Sequence, residues 1–190
     1  MKKGKKPARK AARKAALKAK RSPRSKSAKT SKAAKKVSPV PKGYQTVTPY
    51  LVCRGAAEAI EFYKKAFGAR ELMRMPMPDG RVAHAEIQIG DALVMLGDES
   101  PEQGARAPQT VGGTPVHIFL YLKDVDKTFA QATGAGATVE MPPMDMFWGD
   151  RYCKVQDPFG HKWNMATHIE DLSPREMARR GAEAMAKPQG

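Results

Sequence analysis

The chain has 190 residues, enough for one ordinary domain or two small modules sharing a core, and its hydrophobic fraction of 41% suits a globular fold. Its net charge of +15 lies at one end: residues 1–42 hold 18 Lys and Arg and no acid, leaving 16 basic against 19 acidic residues, a formal −3, from Gly43 onward. Two cysteines exclude a disulfide framework, no apolar run nears the ~20 residues of a membrane span, and a charged N-terminus without an apolar core excludes a secretory signal.

The opening stretch, "KKPARKAARKAALKAKRSPRSKSAKTSKAAKK", mixes Lys, Ala, Arg and Ser, with Leu17 its one bulky apolar residue. It buries too little apolar surface to offset chain entropy. Disorder is therefore predicted for residues 1–42, with a helix over Ala11–Lys20 once its charges are neutralised. Lys10, Arg13, Lys14, Lys18, Lys20, Arg21 and Arg24 carry the expected contacts to nucleic-acid phosphates. Such a segment binds polyanions by releasing counterions without reading sequence, and its lack of aromatic residues argues against base stacking. A solubilising tail is the plainer alternative, and a transit peptide a third, although those favour Arg over Lys and need an apolar face. The Lys-Ala repeats and "SPRS" resemble the tails of linker histones and of histone-like bacterial proteins. Val37–Gly43, "VSPVPKG", reads as a stiff linker.

From Gln45 the pattern changes. Alternation predicts a strand over Thr46–Cys53, and the stripe Ala59, Phe62, Tyr63 and Ala66 predicts a helix over Ala56–Phe67 that Gly68 ends. Strands follow over Arg70–Met75, Val82–Ile89 and Ala92–Gly97, with "PDG" and "GD" as turns. A Gly, Pro and Gln-rich connector, Glu99–Gly113, leads into a second round. That round has a strand over Pro115–Lys123, Asp124 as N-cap and a helix over Val125–Thr133 closed by Gly136. Strands near Ala137–Met141, Gly149–Gln156 and His161–His168 complete it. "SPRE" from Ser173 is a capping box that opens a surface helix to about Ala186.

Both rounds read βαβββ. "TPYLV" answers "TPVHI" and "FGAREL" answers "GAGATV", at an offset of about 67–69 residues. The organisation predicted is a basic tail and linker (1–42), a two-module domain (43–172, modules about 44–98 and 114–168) and a C-terminal helix (173–190). With "EAIEFYKKAFGA", "HAEIQIGD", "FWGDRY", "DPFGHKW" and "ATHIED" in order, the domain resembles the glyoxalase/bleomycin-resistance, or vicinal oxygen chelate, superfamily, and within it the PhnB-like branch. The resemblance spans about Tyr44–Arg180 and implies an α+β fold, two modules whose mixed sheets curl into a cup around a small-molecule site, with helices outside and homodimerisation. The tail is no part of the family pattern.

Strand alternation assigns the faces independently. Val47, Leu51 and Cys53 oppose Thr48 and Tyr50; Ala83, Ala85, Ile87 and Ile89 oppose His84, Glu86 and Gln88; Ile118, Leu120 and Leu122 oppose His117, Phe119 and Tyr121. In the last hairpin Cys153, Val155, Trp163 and Met165 oppose Asp150, Tyr152, Lys154, Lys162, Asn164 and His168. The apolar sets face the helices, and the polar, aromatic sets form either a ligand cleft or a solvated surface, with the number of rings favouring the cleft. Ligand contacts are expected from Tyr50, His84, Glu86, His117, Phe119, Phe147, Trp148, Arg151 and Asn164.

Metal-dependent members of the superfamily hold a divalent ion with His, Glu or Gln from the first and last strand of each module. The resemblance carries those positions onto Thr48, Met95, His117 and Asn164, of which only His117 is a good ligand. No cofactor is expected, and no glyoxalase I activity. His84 and Glu86 admit three readings: an acid/base pair, a metal triad with His117, or hydrogen bonding to each other and to neighbouring strands. Arg151 either pairs with Asp150 or clamps an anion. His161, in a turn, and His168, near a strand end, read as structural, and Cys53 and Cys153 as buried reduced thiols of a cytoplasmic protein.

Two functions from different classes follow. In one, the cup binds an unidentified small molecule, either sequestering it or carrying out a lyase, isomerase or dioxygenase-like step, with or without metal. In the other, the protein associates with the nucleoid through its tail and the domain serves dimerisation.

Overall fold

The computed structural model describes residues 37–186. The tail helix and the phosphate contacts expected of residues 10–24 lie outside these. Each half of the described chain repeats strand, helix and three strands. The first has β1 (Tyr50–Cys53), α1 (Ala56–Phe67), β2 (Arg70–Pro76), β3 (Val82–Ile89) and β4 (Ala92–Asp98). The connector holds a 3-10 turn and a short α2 (Pro108–Val111). The second half has β5 (His117–Tyr121), α3 (Val125–Gly134), β6 (Thr138–Asp145), β7 (Asp150–Gln156) and β8 (Lys162–His168); α4 (Pro174–Ala186) follows. The sheets run β1-β4-β3-β2 and β5-β8-β7-β6, each with one parallel pair, β1 on β4 and β5 on β8. The α+β, two-module expectation holds.

Strand register sets the repeat more sharply than sequence likeness does. Tyr50 pairs with Met95 and Phe119 with Asn164, so both members of the second pair lie 69 residues on. The "TPYLV" and "TPVHI" likeness runs at 66 residues and is not the structural equivalence. Helix capping follows the 69-residue offset too. Asp98 accepts from the amides of Gly55 and Ala56 at 2.9 Å, and its counterpart Thr167 accepts from Val125 at 2.9 Å. In each module the last strand thereby satisfies the orphan donors at the start of its own helix.

Several local expectations shift. Pro49 has no N–H to give the ladder, so β1 starts after it. Thr48 bonds back to the Gln45 carbonyl at 3.2 Å, and Val47 is exposed rather than inward. A register shift between Met75 and Pro76 pairs Pro76 with Val82, which is buried in place of Ala83. β6 tolerates Pro142 and Pro143 because it is an edge strand with irregular register. Ser173 accepts from Glu176 N at 3.2 Å, but the Glu176 carboxylate binds Arg179 and Arg180 instead of closing the capping box.

The core lies where α1 and α3 meet the inner sheet faces. Tyr63 and Phe67 of α1 meet Trp163 of β8 at ring distances of 5.3 and 4.6 Å, which joins the modules through aromatic packing. Beneath them Asp157 of the "DPFGH" turn accepts from Tyr63 Oη at 2.8 Å and from Trp163 Nε1, Phe159 N and His161 N at 2.9 Å. A buried carboxylate with four donors is a structural tie. Cys53 and Cys153 are buried free thiols, Cys53 Sγ lying 3.7 Å from His161 Nε2; burial pushes the Cys153 thiol up to about 11 and that of Cys53 further. No described helix is long and apolar enough to cross a membrane.

Candidate functional site

Alternation turns every second side chain of β5, β7 and β8 away from the helices, and on that face β5 places Phe119 and Tyr121 and β7 places Tyr152. Phe119 is 44% exposed and Tyr121 67%, yet their rings lie 5.0 Å apart. Phe119 stacks on Tyr152 at 5.9 Å, and Tyr152 meets the edge of Trp148 at 5.7 Å. Four rings thus form one platform. Beside Phe119, its strand partner Asn164 holds a buried side-chain oxygen with no hydrogen-bond partner. An acceptor left this way is rare in folded proteins and marks a place where a donor belongs.

The platform ends on Asp150, which is 3% exposed. Its carboxylate accepts from Trp148 Nε1 at 3.0 Å, Tyr121 Oη at 3.2 Å and His168 Nδ1 at 2.8 Å. The other ring nitrogen of His168 meets Asp171 at 3.0 Å. The Asp150 bond, then the Asp171 bond, raises the His168 pKa above its usual value. A histidine backed by a buried carboxylate and half open to solvent can carry a proton. The β7–β8 register sets His168 directly opposite Asp150, a pairing its place near a strand end did not announce.

On the first sheet, Tyr50 stacks on His84 at 5.7 Å, and Gly97 admits the phenol because a Cβ there would lie 2.7 Å from Tyr50 Oη. His84 Nε2 lies 3.4 Å from Glu86 Oε1, as the hydrogen-bonding reading expected. A third partner was not foreseen. Tyr44, the residue after the linker, folds over this face and donates to the same oxygen at 2.6 Å, leaving Glu86 8% exposed. That bond raises the pKa of the Tyr44 phenol.

Two expected contacts are placed elsewhere. Arg151 faces the helix side: it is bidentate to Asp126 of α3 at 2.5 and 2.7 Å and bonds Asp145 at 2.9 Å, so it neither pairs with Asp150 nor reaches the open face. Phe147 packs under α4, where a Cβ on Gly181 would lie 3.3 Å from its ring, and meets Trp148 edge-on from behind.

The residues do not fit a glyoxalase-type metal. The Thr48 hydroxyl is donated to a backbone carbonyl, Met95 offers a thioether and Asn164 an amide, which leaves His117 alone. Among the described residues no three His, Cys, Asp or Glu gather as a metal would require, so His117 does not complete a triad with His84 and Glu86.

Comparison with known proteins agrees with this architecture. The family described as Glyoxalase/Bleomycin resistance protein/Dioxygenase superfamily matches residues 45–165. An uncharacterized protein of Mycobacterium tuberculosis is 46% identical over 134 residues, covering 69% of this chain and 79% of that one. The crystal structure of TioX from Micromonospora superposes with a TM-score of 0.54 at 28% identity, over 66% of this chain and 99% of that one. A PhnB protein from Bacillus cereus superposes with a TM-score of 0.51 at 16% identity, over 65% and 99%, and shows the fold alone.

Proposed function

The chain belongs to the Glyoxalase/Bleomycin resistance protein/Dioxygenase superfamily, and from that premise we propose that it binds a small planar molecule on the aromatic platform, without a glyoxalase-type metal. The observation that carries this reading is the unpartnered Asn164 oxygen beside the exposed ring of Phe119. Stacking contributes about 0.5–1.5 kcal/mol per ring pair, and a hydrogen-bond donor on the ligand would satisfy Asn164. His168 and Asp150 stand at the platform's edge, where they hold or pass a proton of the bound molecule. This supports a proton-transfer step, of the lyase or isomerase kind, over sequestration alone. The open faces also expose Tyr50, Met73 and Met75, and a second copy of the chain is the proposed cover for them.

2-Naphthol, planar with one donor, tests the platform. It should quench Trp148 fluorescence, bind more tightly than naphthalene, and lose that advantage in Asn164→Leu. Equal affinity of the two probes for the wild-type protein, or no quenching at millimolar probe, would refute the reading.

The tail supports a separate role. Its 18 basic residues, unopposed by acid, suit non-specific association with nucleic acid, consistent with a cytoplasmic, nucleoid-associated protein.

A further inference from the structure

Between the edge strands β1 and β5 the connector roofs a cavity of about 320 Å³. It lies off the aromatic platform and does not depend on the reading above. Its floor is buried, with Leu51 and His161 at the bottom and Ile118 partly buried beside them. The rim is open and apolar: Val111 is 59% exposed and Val116 64%. The charge is at the rim alone. Arg106, exposed, has no ion-pair or hydrogen-bond partner among the described residues. Arg54, Arg74, Arg151 and Arg180, by contrast, are each tied to carboxylates.

The floor cannot take an anion. His161 Nε2 lies 3.2 Å from the Val52 carbonyl, which only accepts, so this nitrogen carries the proton. Burial disfavours a second proton on the ring and lowers its pKa. A neutral, apolar bottom and one unpaired guanidinium at the opening define the orientation of an occupant. The geometry points to a second small-molecule site, for an apolar monocarboxylate that places its hydrocarbon body on Leu51 and Ile118 and its carboxylate on Arg106. The volume is about twice that of a cavity able to hold benzene (~150 Å³), so a ring with a short acid side chain fits. The planar guanidinium fork matches a carboxylate bidentately.

The test uses the full chain and 3-phenylpropionate, with its amide as the neutral analogue, and follows the ring signals of the four histidines by NMR. Expected is a saturable shift at His161 with His168 unmoved, and roughly fivefold weaker binding of the amide, as an exposed charge-assisted bond would give. Arg106→Gln should bring the acid down to the amide. Val111→Trp and Val116→Trp, both at exposed positions, should block the two probes alike, while Phe119→Ala on the platform leaves both unchanged. No response at His161 at millimolar probe, equal affinity of wild type and Arg106→Gln, or loss in Phe119→Ala with retention in both tryptophan variants would each overturn the proposal.

Discussion

The hydroxyl of Tyr63, on the helix of the first module, donates to Asp157, in the last turn of the second, at 2.8 Å in full burial. This bond crosses the module boundary. Removing it with Tyr63→Phe leaves Asp157 three donors, so no acceptor is stranded. A bond to a charged group contributes about 1.5–3 kcal/mol, and the lower end applies here. Tyr63→Phe should lower Tm by about 3–6 °C in one cooperative transition. Two separate transitions would show that the modules melt independently.

The His168 imidazole yields a pH dependence with a definite sign. Its folded pKa is raised by Asp150 and then Asp171, so its contribution is complete below the unfolded value near 6.5 and fades as pH rises through the folded value. His161 opposes it, since burial lowers its pKa and acid must charge a buried ring. The difference in stability between wild type and His168→Gln should therefore shrink from pH 6 to pH 8. NMR titration should place the His168 midpoint above that of His161; the reverse order would break the argument.

Gly149 opens the last hairpin at φ +94°, with Ile169 and Glu170 both donating to its carbonyl at 2.9 and 3.0 Å. A Cβ there would lie 2.3 Å from the Glu170 carbonyl oxygen. Gly149→Ala should cost about 3 kcal/mol and move Trp148 and Asp150 with the backbone. Thermal melts and Trp148 fluorescence measure the two effects; an unchanged Tm would contradict the crowding.

Deleting residues 1–42 removes 18 positive charges and leaves a formal −3. The full chain should bind duplex DNA of any sequence. If about six charges engage, log affinity should fall against log salt with a slope near −5. The deleted form should not bind. Sequence-selective binding, or binding that survives the deletion, would place DNA recognition in the folded unit.

Hydrophobic alternation and glycine punctuation placed the strands and helices well, because each reports local burial. What they missed depends on pairing between distant residues. The Val82 and Ala83 phase is set by a register shift against β2, which no single strand announces. Asp150 and His168 become a pair only when β7 and β8 are laid side by side. Arg151 is the more instructive case: it lies two residues before Cys153 on the same strand, so parity sets it on the helix side, away from the ligand contact expected of it. The partners that hold it, Asp126 and Asp145, lie on the helix side as parity required. Tyr44 was unreadable, since nothing in the irregular stretch before the first strand says which strand it will lie against.

That phenol acts as a mooring. With Tyr44 bonded to Glu86, the described chain enters the folded unit across the open face of the first sheet, and any ligand seeking Glu86 or His84 must displace it. The next backbone hold is Pro49, whose carbonyl accepts from Met95 at 2.9 Å. Casting off at Tyr44 frees the four residues between the two holds, five Cα-to-Cα steps that reach about 17 Å when extended. A ligand on the first sheet's face and the hold at Tyr44 therefore exclude each other, so occupancy of Glu86 or His84 decides whether the described chain enters the folded unit tied or slack.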